Sequence, residues 1–358
     1  MKGPVLILLV LLIAVAAAFL VQDGGDAPSD DGGEPDDGTG IRVIGDLPDG
    51  ISFDPASGSF TSASVTVWHV FDNLHAHMVN RSTVYTGATS SSDTWVPGTG
   101  SYTVTVGGGT FDVIVPGEIT RVVEPWDYDM DGVVHRVSVT YSIPLDDYLA
   151  ATGASALFND KSNREYRFEL LPQLVVVDGT IAELESALES EFVRIGGSVS
   201  DRQAYADFLA AFVQLTIEYP PMVDGGSYDT LVWGKDEYWC VPLETLYHRI
   251  GDCDDTAALL CSLYKAAGYD VAMGGHAGHV FAGVALDDFT ECTPERLKKL
   301  NIGYYGLATR NVQVADGRSL DFYAVETIRD QNPVGYLSGG DSHLDRETWW
   351  GKAGFYPA

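Results

Sequence analysis

Cys253 stands in the segment GDCDDTAALLCSLYKAAG, between Asp252 and Asp254, at the predicted start of a helix. Asp252 is a suitable N-cap residue, and apolar side chains follow at helical spacing as far as Gly268. At the first helical position, unpaired backbone N–H groups and the helix dipole favour a thiolate by about 0.3–1 kcal/mol. The flanking carboxylates oppose that charge, so the thiol needs a nearby imidazolium to act as a nucleophile.

His279 is the first candidate for that imidazole, because it opens a predicted strand in GGHAGHVFAGVAL. A helix, a glycine-containing turn and a returning strand would bring it back toward Cys253; His276, in the glycine-rich approach, is the second candidate. A third group would hold the imidazole in the productive tautomer. Glu326 lies on a strand that can pair with that of His279, and Asp321 is the alternative acid.

An oxyanion formed at the thiol would need hydrogen-bond donors. Backbone N–H groups near the start of the Cys253 helix are suited to this role. Gln214 or Trp239 could add a side-chain donor.

A second group of acidic residues precedes the helical part of the chain. Asp127, Asp129, Asp131 and Gly132 match the first half of a calcium-binding loop. The twelfth position is Ser138 rather than the bidentate glutamate. An Asp-Gly turn between two strands explains the same residues, so the sequence leaves both interpretations open.

Composition limits the kinds of partner. The 358 residues carry a net charge of −30, with a pI near 4.3. A field of that sign repels nucleic acid and anionic membrane surfaces. The four cysteines are too few for a disulfide scaffold, although one bridge, Cys240–Cys292, is conceivable. No phosphate loop or dinucleotide fingerprint occurs, so we expect no cofactor.

The N-terminal residues predict attachment to a membrane. Within residues 1–21, the stretch 4–21 is apolar and uncharged, and as a helix it would span about 27 Å. A cleaved signal peptide, and hence a secreted protein, is the alternative. Lys2 is the only charge before the stretch, which favours a single-pass topology with the rest of the chain outside the cytoplasm. Residues 22–40, rich in Gly, Asp and Pro, predict an acidic disordered linker.

Two folded parts follow the linker. Residues 41–132 alternate polar and apolar side chains between Gly, Ser and Pro, which predicts a small β-sandwich. Residues 133–358 contain helical patterns at 180–193 and 201–217, followed by further strands, which predicts an α+β domain.

The segment YWCVPLETLYHRIGDCDDTAALLCSLYKAAGYDV, followed by GHVFAGV and FYAVET, resembles the transglutaminase-like cysteine peptidase superfamily, in particular its archaeal membrane-anchored members. The resemblance covers about residues 133–340. It implies a papain/transglutaminase-like catalytic domain with Cys253 as nucleophile, His279 as base and Glu326 as orienting acid. The superfamily usually has aspartate at the last position.

The resemblance also implies a function. We expect a cell-surface, thiol-dependent acyl-transfer enzyme, a cysteine peptidase or amidase, with a protein or peptide as its partner and substrate. Hydrolysis is favoured over crosslinking, because an exterior site meets water far more often than a primary amine. A crosslinking transglutaminase and a non-catalytic envelope binding or adhesion protein that retains the fold are the alternatives.

Overall fold

A computed structural model of the chain describes the strands at 42–44, 52–54, 59–61, 65–70 and 81–87, and then residues 99–106, 109–159, 168–219, 229, 237–276, 278–300, 307–328, 332–337 and 353–358. The predicted anchor (1–21) and acidic linker (22–40) lie outside these residues. Within the described ranges, no helix is both long and apolar enough to cross a bilayer.

The chain divides into two compact units. The first contains an antiparallel five-stranded sheet of order β1-β7-β6-β4-β5 and a separate two-stranded sheet, β2-β3. Its strands are β1 (Arg42–Ile44), β2 (Ser52–Asp54), β3 (Ser59–Thr61), β4 (Val65–Val70), β5 (Arg81–Gly87), β6 (Gly100–Val106) and β7 (Gly109–Val115). Helix α1 (Leu145–Phe158) belongs with this unit up to Leu157. The alternating pattern thus corresponds to strands, while a sandwich of two packed sheets stays a prediction.

The second unit begins with two strand pairs, β8–β11 and β9–β10. Its other elements are a 3₁₀ helix, five α-helices and an antiparallel sheet of order β14-β15-β13-β12-β16. They span β8 (Glu118–Val122), β9 (Trp126–Met130), β10 (Val133–Val137), β11 (Thr140–Pro144), the 3₁₀ helix (Phe168–Leu174), α2 (Gly179–Arg194), α3 (Arg202–Thr216), α4 (Pro242–His248), α5 (Cys253–Ala266), β12 (Val271–His276), β13 (His279–Ala285), α6 (Pro294–Lys299), β14 (Thr309–Gln313), β15 (Ser319–Val325) and β16 (Gly354–Pro357). Helices packed on an antiparallel sheet make the fold α+β, as predicted.

Helix α5 is the centre of the second unit. It packs against β12, β13, α2 and α3, and most of its side chains are buried, including the fully buried Leu260, Cys261 and Tyr264. Burying each large apolar side chain contributes about 1.5–3 kcal/mol. Gly268 follows the C-cap residue Ala267, and its φ of +77° allows the Tyr269 N–H to reach the Tyr264 carbonyl at 3.0 Å. This packing fixes the position of the first turn, where Cys253 lies.

Helix α3 contributes aromatic side chains to the core of the second unit. Trp126 of β9 contacts Phe212 with ring centroids 5.7 Å apart, and Tyr128 contacts Phe208 at 5.1 Å. Its polar residues Asp207 and Gln214 instead bind the chain that follows β15: Asp207 Oδ1 accepts the Val334 N–H at 2.7 Å. The helix therefore links the aromatic core to the segment that carries the candidate acid.

Candidate active site

The turn before Cys253 is held by backbone pairing with the end of the α3 segment. The Glu218 N–H donates to the Arg249 carbonyl at 2.9 Å, and the Gly251 N–H donates to the Glu218 carbonyl at 3.1 Å. A Cβ atom at Gly251 would lie 2.7 Å from the Cβ of Asp255, so glycine is required there. Asp252 is the N-cap residue of α5, but its side chain makes no capping hydrogen bond. Cys253 therefore opens the helix, at the position the sequence predicts.

The structure brings Cys253, His279 and Glu326 together. His279 begins β13 and Glu326 follows β15, and these strands are neighbours in the sheet. His279 Nε2 lies 3.2 Å from Glu326 Oε2. The Cys253 thiol interacts with the same imidazole, and each of the two groups shifts the pKa of the other. A nucleophile, a base and an orienting acid would need this grouping of a thiol, an imidazole and a carboxylate.

Glu326 is fully buried, and its carboxylate has defined partners. Oε1 accepts the N–H groups of Thr327 at 3.0 Å and Ile328 at 3.4 Å, while Oε2 faces His279. Burial alone would raise the pKa of Glu326, but the charge and hydrogen bond of His279 outweigh it and hold the pKa below its usual value. Glu326 is therefore an ionised carboxylate inside the protein.

His279 responds in the opposite sense. Burial would lower its pKa, but the negative charge of Glu326 and the hydrogen bonds to Cys253 and Glu326 raise the pKa well above its usual value. The imidazole is therefore stabilised as a cation between a carboxylate and a thiol.

The thiol itself is not strongly activated at rest. Burial raises the pKa of Cys253, the His279 hydrogen bond lowers it, and the charge of Asp252 raises it again, so that the net pKa lies above the usual value. Because the thiol and the imidazole interact, they titrate as a pair. The thiolate–imidazolium state forms when this pair loses its first proton.

Acidic side chains are crowded around the thiol. Asp254 and Asp255 are buried, and burial together with neighbouring carboxylates raises the pKa of each well above its usual value. Burial and the charge of Asp252 likewise raise the pKa of Asp229 to about 9. Asp255 also has a structural role, because its Oδ1 accepts the Cys240 N–H at 2.7 Å. Protonation of several of these carboxyl groups relieves their mutual repulsion.

One group of possible metal ligands occurs in the described part of the chain. Atoms of Asp252, Cys253 and Asp254 lie within 4.8 Å of one another. A closed structural zinc site takes four protein ligands, and one of the three donors here is the candidate nucleophile. We therefore assign these residues to the thiol site and no metal to them.

The candidate calcium residues lie in β9 and in the two-residue hairpin turn that follows it. Met130 pairs with Val133, and the residues between them, Asp131 and Gly132, have φ values of 54° and 88°. This is the geometry that Asp-Gly turns favour between antiparallel strands. Asp129 accepts the Gly132 N–H at 2.6 Å and the ammonium of a lysine on α6 at 2.5 Å. The turn explains the sequence pattern, so calcium binding is not proposed.

The two side-chain oxyanion donors suggested by the sequence have other partners. Gln214 Nε2 donates to the carbonyls of Glu326 at 2.6 Å and Asn332 at 3.0 Å, which engages both amide hydrogens. Trp239 Nε1 donates to Glu237 Oε1 at 2.9 Å. Neither donor is available for an oxyanion, because each already satisfies a neighbouring acceptor.

The alternatives to His279 and Glu326 occupy different positions. His276 is opposite His279 in the register of β12 and β13. Asp321 is exposed on β15, where its carboxylate accepts a hydrogen bond from the side-chain amide of Asn311 at 2.7 Å. Glu326, and not Asp321, is the acid that contacts the His279 imidazole.

Tyr219 is a candidate site residue that sequence analysis missed. Its neighbour Glu218 bridges Ile250 in parallel register, which places Tyr219 alongside the turn before Cys253. The side chain is 42% exposed. Burial and the negative charges of Cys253 and Asp252 raise the pKa of the phenol, so it keeps its proton and remains a donor. Only the tertiary pairing shows this proximity, because Tyr219 is 34 residues before the thiol in sequence.

The cysteines all lie in the described ranges, and each is a free thiol. The conceivable Cys240–Cys292 bridge is therefore not formed. Cys261 donates to the Ala272 carbonyl at 3.4 Å, and burial raises its pKa to about 12. It is an unreactive core residue.

Comparisons with known proteins identify no family for the chain. No family model matches it, and no curated protein matches it. A solved structure from Parabacteroides distasonis, described as a candidate protease, is similar with 14% sequence identity and a TM-score of 0.25. The match covers 64% of this chain and 50% of the other, so the chain spans half the length of that protein. A likeness at this TM-score carries no argument, and we base the proposed function on the chain's own residues.

The Asp252 charge should control the reactivity of the thiol. Asp252→Asn removes a negative charge that raises the pKa of Cys253, so the pH midpoint of Cys253 alkylation should fall by about 1 unit. Iodoacetamide labelling across pH, followed by peptide mapping, measures this midpoint. Asp321→Asn is the matched control, because that carboxylate is exposed and bonded to Asn311. An unchanged or higher midpoint in Asp252→Asn would contradict the electrostatic account.

Proposed function

We propose that the chain is a thiol-dependent acyl-transfer enzyme, a cysteine peptidase or amidase that acts on protein or peptide amides. The observation that carries the proposal is the pairing of His279 with the buried Glu326 beside Cys253, at 3.2 Å between Nε2 and Oε2. A buried charge pair is costly unless it is well partnered, and it serves acyl transfer directly when it borders a thiol at a helix start. A thiol, an imidazole and a carboxylate in this order supply every proton-transfer group that the reaction needs.

The reaction begins with the thiolate–imidazolium state. The Cys253 sulfur attacks the amide carbonyl carbon, forming a C–S bond and a tetrahedral oxyanion. The His279 imidazolium then donates its proton to the amide nitrogen, the C–N bond breaks, and the amine leaves. His279 next takes a proton from water, which attacks the thioester and releases a carboxylic acid and the thiol. Throughout these steps Glu326 stabilises the charged imidazole and holds its ring orientation.

Oxyanion stabilisation would come from two sources. Backbone N–H groups at the start of α5 have no intrahelical acceptor and lie beside the sulfur. The protonated phenol of Tyr219, which follows the Glu218–Ile250 bridge beside the nucleophile turn, is the candidate side-chain donor. In characterised enzymes the loss of one such donor costs about 2.7–4 kcal/mol of transition-state stabilisation.

The predicted compartment supports substrates in the cell envelope. The apolar run within residues 1–21, the acidic linker and the position of Lys2 favour a single membrane anchor with the catalytic domain outside the cytoplasm. Water is then the abundant acceptor, which favours hydrolysis. The net charge of −30 disfavours nucleic acid as a substrate.

Acylation of Cys253 tests the proposal. With p-nitrophenyl acetate in excess, the protein should release a burst of p-nitrophenol equal to about one acyl group per chain, since thioester formation precedes hydrolysis. Cys253→Ala should abolish the burst, while Cys292→Ala, which removes a half-buried thiol, should retain it. Absence of a burst from folded, reduced protein would refute the proposed function, and an undiminished burst in Cys253→Ala would place the nucleophile elsewhere.

Tyr219→Phe removes only a hydroxyl group. If the phenol donates to the oxyanion, kcat/KM for a peptide amide should fall by about 10–100-fold, while alkylation of Cys253 by iodoacetamide should not slow. Tyr323→Phe is a suitable control, because that ring stacks on Phe289 at 4.0 Å and serves packing. Equal activity of Tyr219→Phe and wild type would exclude the phenol from the transition state.

A further inference from the structure

Two buried threonines join the candidate acid to the nucleophile helix. Thr256, on α5, is 1% exposed, and Thr327, directly after the acid, is 3% exposed. Their hydroxyl oxygens lie 2.8 Å apart. They are 71 residues apart in sequence, so the contact is a tertiary link and not a local turn.

The direction of the hydrogen bonds can be assigned. Thr256 Oγ1 lies 2.6 Å from the Asp252 carbonyl, which can only accept, so Thr256 donates its hydroxyl hydrogen there. Thr256 Oγ1 must then accept from the Thr327 hydroxyl. Two consecutive hydrogen bonds therefore link Thr327 to Thr256, and Thr256 to the backbone carbonyl of Asp252, directly before Cys253.

Thr327 also binds the acid. Its backbone N–H donates to Glu326 Oε1 at 3.0 Å, on the opposite side of the carboxylate from His279. One residue thus contacts the acid through its main chain and the nucleophile helix through its side chain. Gln214 completes the support by donating to the Glu326 carbonyl at 2.6 Å.

We propose that Thr256 and Thr327 form a positioning pair that sets the His279 imidazole against the Cys253 thiol by locking the Glu326 segment to the first turn of α5. This inference rests on the proposed function. Neither threonine contacts the reacting atoms. Their role is to keep two segments that are far apart in sequence, the start of α5 and the end of β15, in one fixed relation.

Geometry explains why such a lock is needed. Cys253 is fixed by α5, whereas Glu326 lies beyond the last ladder pair of β15, Ala282 with Val325, and depends on other bonds for its position. A shift of about 1 Å in a catalytic group can cost about 100-fold in rate. Substrate binding does not use these buried hydroxyls, so the loss should appear in kcat and not in KM.

A double-mutant cycle tests the pair. Thr256→Val and Thr327→Val keep the side-chain shape and remove the hydroxyl groups. Each should lower kcat by about 10-fold with KM changed less than about 2-fold, and the double variant should be no slower than the worse single variant. Thr327→Ser, which keeps the hydroxyl group, should restore kcat to within about 3-fold of wild type.

Thr245→Val is the matched control. Thr245 is fully buried in the same unit, and among the described residues its hydroxyl has no hydrogen-bond partner. Its removal should leave kcat unchanged and should not lower the unfolding midpoint. If Thr245→Val slows the enzyme as much as Thr256→Val does, the effect is general core disruption and the proposal is wrong.

A second readout does not depend on turnover. In both valine variants the imidazolium should stabilise the thiolate less, so the pH midpoint of Cys253 alkylation should rise by about 0.5–1 unit, and Thr327→Ser should reverse the rise. Additive kcat losses, or an unchanged midpoint, would overturn the positioning role. Failure of the burst in wild type, with the midpoint shifts present, would refute acyl transfer and leave the positioning of the imidazole established.

Discussion

The buried pair between His279 and Glu326 is the interaction on which the second unit's chemistry depends. A carboxylate with no solvent exposure is stable only with a cation and further hydrogen bonds. His279 supplies the cation, and the N–H groups of Thr327 and Ile328 supply the bonds. The pairing of β13 with β15 brings together His279, at the start of β13, and Glu326, directly after β15. The charge on the imidazole is thus a consequence of the sheet order.

The positive charge on His279 lies in a strongly acidic environment. The thiol lies among carboxyl groups, and burial with the charge of Asp252 raises its pKa despite the neighbouring imidazolium. The site therefore has one cationic partner for the sulfur and several groups that oppose its ionisation. In the proposed reaction, a substrate that displaces water would change this balance, since charges interact more strongly at lower dielectric. The charge of Asp252, directly before α5, thus raises the pKa of the thiol at the helix start.

The sequence predicts those parts of the site that follow from local pattern. Capping and periodicity predict a helix start at Cys253, a strand start at His279 and a later strand near Glu326. The structure brings these three residues together. The sequence does not predict the partners of Gln214, because the two carbonyl groups that accept from its side chain lie 112 and 118 residues away. The position of Tyr219 is likewise a tertiary result.

At two other places the amino-acid sequence alone does not decide between structures. The Asp-rich segment before Gly132 fits half a calcium loop as well as a hairpin turn, and only the pairing of β9 with β10 decides between them. The contact between Thr256 and Thr327 has no sequence signature, since threonine is ordinary in both a helix and a strand end.

The charge state of His279 tests the account most directly. Nitrogen-15 NMR of the imidazole, recorded across pH in wild type and in Glu326→Gln, reports whether the ring is protonated. The account predicts an imidazolium that persists well above the usual histidine pKa in wild type and loses its proton at lower pH in Glu326→Gln. An imidazole that titrates at or below its usual pKa in wild type, or one that is unaffected by Glu326→Gln, would contradict it.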